Sequence, residues 1–71
     1  MGALVARRPA AGSVLEAQAN EVQAIAYRVR LAADGLHSIR ELDLGSRGHD
    51  LARALEALAF AMRVKAGRRE L

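Results

Sequence analysis

The chain contains no cysteine and no tryptophan, and its one proline, Pro9, stands near the amino terminus. Without cysteine, neither disulfides nor thiolate zinc sites can brace the fold. The two histidines, His37 and His49, are too few for a metal cage, and neither has the helical His or Glu companion that metal sites in bundles use. Aromatics are limited to Tyr27 and Phe60, and β-branched residues are sparse, which removes the usual basis for strands. No apolar run approaches the ~20 residues of a membrane-spanning helix. Residues 1–6 are apolar but too few for a signal-peptide core, and the arginines follow them instead of preceding them. Arg7-Arg8 lacks the apolar run that a twin-arginine signal needs, and Gly2 lacks the Ser or Thr that myristoylation wants at position 6. These absences lead to the expectation of a cytoplasmic chain that makes no membrane contact and carries no cofactor.

What is present is alanine, leucine and arginine. Of the 71 residues, 52% are hydrophobic, and much of that share is alanine. Alanine favours helix strongly but contributes little burial per residue. A chain this short has a marginal core, so packing of unusual quality or association must supplement it. The net charge is +3, an arginine excess whose placement matters more than its sum. The richness in alanine and arginine suggests a GC-rich genome and hence a bacterial or phage source.

Residues 1–12 read as a flexible basic arm, punctuated by Pro9 and Gly12, ahead of a helical hairpin domain over 13–71. Ser13 and Glu16 fit a capping box that opens a first helix over about 14–34. Leu15, Val22, Val29 and Leu36 recur every seven residues, with Ile25 and Ala32 between them and Ala19, Ala26 and Ala33 on the flank. That spacing is the seam of two packed helices. Asp34-Gly35 offers a C-cap, although Leu36 keeps the phase. The helix therefore breaks at Gly35, the favoured reading, or continues at a cost of roughly 1 kcal/mol. Ser38 and Glu41 form a second capping box, which predicts a short middle helix near 38–44. Gly45-Ser46-Arg47-Gly48 reads as a turn, and Asp50 as the N-cap of a last helix over about 50–66. In that helix Leu51, Leu55, Leu58 and Met62 follow 4-3-4 spacing, and Lys65, Arg68 and Arg69 suit the negative end of the helix dipole.

Placed on a wheel, each helix has a second stripe. Ala17, Ala24, Tyr27 and Leu31 lie opposite the first stripe of one helix. Ala57, Phe60 and Val64 lie opposite the leucines of the other, edged by Arg53, Glu56 and Arg63. A two-helix hairpin covers one face of each helix, so the other faces need a further layer. The sequence thus predicts an all-α antiparallel hairpin, with two main helices and a possible short middle one. It predicts that two copies form a four-helix bundle as a homodimer. The stripe of Leu15, Val22, Val29, Leu51, Leu55 and Leu58 is expected to hold the hairpin. Ala24, Tyr27, Leu31, Ala57, Phe60 and Val64 are the candidate protein interface, and the two faces exchange roles if the hairpin folds the other way.

The functional expectation is a small non-enzymatic regulator, adaptor or inhibitor acting on a larger protein partner. A rival reading is a nucleic-acid-binding regulator in which Arg7, Arg8, Arg63, Lys65, Arg68 and Arg69 form a phosphate-binding pole. Against it, no aromatic is interleaved among those arginines for base stacking. A third reading is an accessory subunit that is stable only inside a larger assembly. Asp34, His37 and Ser38 are the residue types of a nucleophilic triad, but their crowding in sequence and the lack of room for a closed pocket favour loop and capping roles.

Overall fold

The structure, a computed structural model, describes residues 11–70. It consists of two α-helices, α1 (Ala11–Ser38, 28 residues) and α2 (Leu42–Glu70, 29 residues), packed against each other. Contacts between them pair rising numbers on one helix with falling numbers on the other. Asp34 meets His49, Arg30 meets Glu56 and Asn20 meets Arg63, so the hairpin is antiparallel. Among the described residues, no helix is long and apolar enough to cross a membrane.

The reversal falls where the sequence carries no glycine, proline or asparagine. Arg40 adopts a left-handed conformation, with φ of 66°. Its amide donates to the His37 carbonyl at 3.0 Å, and the Glu41 amide donates to the Leu36 carbonyl at 2.8 Å. These two bonds make a Schellman motif with Arg40 in the position that glycine usually takes. The carbonyl of Glu41 then accepts the first bond of α2, from the Gly45 amide at 2.9 Å, so Glu41 is the residue that begins the second helix.

Three expectations are corrected by this connection. Helix α1 does not break at Gly35 but runs through it to Ser38. The short middle helix near 38–44 does not exist, because its residues are divided between the end of α1, the turn and the first turn of α2. Gly45-Ser46-Arg47-Gly48 is helix, and Asp50 sits inside α2, accepting a hydrogen bond from Arg53, instead of capping a helix start. Those glycines serve packing. A Cβ at Gly45 would overlap the His37 ring, and a Cβ at Gly48 would lie 2.8 Å from the Ala33 Cβ. Helix α1 also begins at Ala11, so Ser13 lies within its first turn; most of the expected arm, residues 1–10, lies outside the described residues.

The seam itself is a run of small residues. The fully buried hydrophobic residues are Ala19, Ala26 and Ala33 on α1 and Ala52, Ala59 and Ala66 on α2, and Gly12 and Gly45 continue each row at the same seven-residue interval. No large side chain among the described residues is fully buried. The leucine and valine stripe therefore does not hold the hairpin alone. It flanks a seam of methyl groups, and each buried methyl contributes only about 0.8 kcal/mol, against roughly 1.5–3 kcal/mol for a buried Leu.

Candidate protein-interaction site

The seam divides the hairpin into two faces. Take each buried small residue as the origin on its helix. The residue three positions later points about 60° to one side and the residue four positions later about 40° to the other, at 100° per residue. Because the helices are antiparallel, the third residues of both helices fall on one side of the hairpin and the fourth residues on the other.

On the first face stand the third residues: Leu15, Val22, Val29 and Leu36 from α1, with Gly48, Leu55 and Met62 from α2, all half-buried. Beside them come Ile25 at 48% exposure, Leu51 at 52% and Leu58 at 50%, together with Ala32 and Leu44. Gln18 and Lys65 hold equivalent positions near one end. This face is otherwise continuous hydrocarbon. Its glycine, Gly48, lets α2 close onto Ala33.

The opposite face is polar and internally bonded. Of its fourth residues, Arg30, His37, His49, Glu56 and Arg63 are half-buried, while Glu16 and Gln23 are exposed. Arg30 donates to Glu56 across the seam, and Arg63 donates to Asn20 Oδ1 at 2.8 Å. His49 Nε2 lies 3.0 Å from Asp34 Oδ1, and the rings of His37 and His49 stand 5.2 Å apart, tilted by 33°. The Arg30–Glu56 pair is about two-fifths exposed on both sides, so it contributes roughly 0–1 kcal/mol and serves mainly to fix register.

Tyr27 and Phe60 also belong to this polar face, at 62% and 70% exposure. Tyr27 lies one turn from Arg30, and Phe60 one turn from Glu56. The other expected interface residues sit further out. Ala24 and Leu31 line the outer flank of α1 beside Tyr27, and Ala57 and Val64 line the outer flank of α2 beside Phe60; all four are exposed. The structure thus keeps each stripe together on its own helix and brings the two aromatics to one face, while the aliphatic members occupy opposite edges.

Residues of the expected basic pole are spread around α2. Arg63 faces the seam, Lys65 borders the hydrocarbon face, and Arg68 points away from α1, with the latter two exposed. Arg7 and Arg8 lie outside the described residues, as does the side chain of Arg69. Nor are Asp34, His37 and Ser38 arranged as a relay. The Asp34 carboxylate faces His49, and the Ser38 hydroxyl donates to the Asp34 main-chain carbonyl at 3.1 Å. Among the described residues, no group of three or more His, Cys, Asp or Glu side chains is placed to hold a metal ion.

The chain matches no family model, no curated protein and no solved structure. Its function has to be argued from its own surfaces.

Two features of the site escape a wheel drawn for each helix alone. The small-residue repeat has two halves, and only Ala19, Ala26 and Ala33 stand out in sequence. The matching set Gly45, Ala52, Ala59 and Ala66 carries the same interval and would have placed α2 in register. The cross-helix polar set of Asn20, Arg30, Asp34, His49, Glu56 and Arg63 becomes visible only once that register is known.

Proposed function

We propose that this chain is a small non-enzymatic adaptor or regulatory protein that self-associates and binds or inhibits a larger protein through its helix faces. The observation that carries the reading is the burial pattern. Alanine and glycine fill the seam, and the leucines, valines and Ile25 beside it remain half-buried or exposed on a continuous face. An uncovered hydrocarbon face of this extent marks an interaction surface in soluble proteins.

The polar face supports the second half of the reading. It presents one tyrosine, one phenylalanine and several arginines on a backbone held rigid by cross-helix bonds. Those are residue types enriched where truncation costs binding most, and a rigid platform loses little entropy on docking. Affinity capture from the native lysate, run in parallel with the wild-type chain and Tyr27→Ala and Phe60→Ala variants, tests it. A protein retained by the wild type should be lost from both variants, with helicity unchanged by circular dichroism. Equal retention by all three would remove the aromatic face from the reading.

A further inference from the structure

The hydrocarbon face raises the question of what covers it. Resting on the self-association reading above, we infer that its occupant is a second copy of this chain, stacked face to face, so that the leucine faces form the core of a four-helix bundle and the polar faces with Tyr27 and Phe60 point outward.

Area supports this. A helix of 28 residues is about 42 Å long at 1.5 Å per residue. Two helices side by side, with axes about 9 Å apart, offer a face about 18 Å wide. The footprint is therefore roughly 750 Å², close to the ~800 Å² per partner of a standard stable interface. Interdigitating side chains raise the accessible area removed above the flat footprint.

Chemistry narrows the occupant. The face carries Leu15, Val22, Val29 and Leu55 next to the seam with Ile25 and Leu58 beside them, and among the described side chains Lys65 is the one charged group at its equivalent positions. Nothing on it selects an acidic or a basic partner, whereas a neutral apolar face is complementary to itself. Shape acts the same way. The two helices lie in a single layer, and a flat layer of helices is covered by another flat layer of helices. Stacking would also convert the half-buried aliphatics into buried ones, which supplies the large-side-chain core that the hairpin lacks. The outward faces are already wetted and bonded across the seam, so they gain less from being covered.

The absence of cysteine makes the test direct. Single cysteines are introduced as Ile25→Cys and Leu58→Cys on the hydrocarbon face and as Gln23→Cys on the polar face, and maleimide labelling rates are followed alongside light scattering. All three positions are exposed in the isolated hairpin, so differences between them report a covering layer. A mass twice that of the 7.6 kDa chain is expected, with labelling at positions 25 and 58 slowed at least about tenfold relative to position 23. Dilution to the monomer should restore equal rates. A dimer in which position 23 is protected and positions 25 and 58 label freely would overturn the inference while leaving self-association intact. A folded monomer with equal rates would overturn both. Protection at 25 and 58 that arises only when neutral lipid vesicles are added, with the chain monomeric in solution, would assign the face to a membrane surface and overturn the inference. These substitutions are mild enough to leave the hairpin folded, which circular dichroism checks.

Discussion

Replacing Gly35 with alanine distinguishes a continuous first helix from a broken one by the sign of a single measurement. Gly35 lies inside α1, its backbone is not in the left-handed region, and a Cβ added to it would meet nothing within 4 Å. The substitution therefore adds no clash and removes backbone freedom from the unfolded chain. Glycine is about 0.8–1.0 kcal/mol less favourable than alanine in an exposed helix interior. Gly35→Ala should stabilise by close to that amount. For a domain of this size, 1 kcal/mol moves the melting temperature by roughly 4–8 °C, so a rise of that order is expected. Thermal and urea melts followed by circular dichroism, at one fixed protomer concentration, measure it, since assembly makes the midpoint depend on concentration. The urea midpoint should rise with the slope unchanged. If the helix instead ended with Gly35 in the left-handed conformation, the new Cβ would cost about 1–2 kcal/mol and the midpoint would fall. A fall would refute the continuous helix, and with it the register that places His37 against Gly45.

Two further substitutions test the seam and the turn. Gly48→Ala carries the same helix-propensity gain, but its Cβ would lie 2.8 Å from the Ala33 Cβ and 3.5 Å from the Ala33 Cα, with no flexible side-chain end to give way. Overpacking of this kind costs about 1–3 kcal/mol, so the net result should be a loss of up to roughly 2 kcal/mol, and a melting temperature at or above wild type would refute the close approach. Arg40→Gly should stabilise by about 0.5–1 kcal/mol, because it relieves a left-handed side-chain residue in a motif that glycine normally fills. A drop in the urea midpoint would show that Arg40 does not hold that conformation.

Helix was legible in this sequence because composition and period agree on it. Alanine and leucine dominate, and the seven-residue recurrence of Leu15, Val22, Val29 and Leu36 belongs to a seam. What misled was punctuation. Glycine marks turns in most sequences, so Gly45 and Gly48 looked like a reversal and Asp50 like a cap. Here the glycines stand where two helices come too close for a side chain, and the reversal is made by Ile39-Arg40-Glu41, which carries no turn residue. The deciding information is the phase of the small residues. The interval from Ala33 to Gly45 is not a multiple of seven, whereas every interval within each half is, so the seam loses its phase between them, where the chain reverses. The candidate faces were legible in part. Each stripe was visible on its own helix, but which stripes share a side depends on the antiparallel register. That register brought Tyr27 and Phe60 to one face and left Leu31 and Val64 on opposite edges.

The alanine seam and the uncovered leucine face have one cause. Two helices can approach closely only where the residues between them are small, and close approach moves the larger neighbours out of the contact plane. In this hairpin the third residues after each alanine are pushed to one side and the fourth residues to the other. Polarity then separates them, with aliphatics on the third positions of both helices and arginine, histidine and glutamate on the fourth. Had the sequence placed leucine in the seam, the hairpin would bury large side chains within itself and leave less apolar surface outside. With alanine there, the hairpin gains rigidity and register from close packing, and most of its hydrocarbon stays available to a second layer. On the proposed reading, the same repeat that folds the chain therefore also prepares it to associate. It follows that enlarging a seam residue, as in Ala26→Leu, should damage assembly as well as folding, because it would part the helices and bend the flat face that a second copy must match.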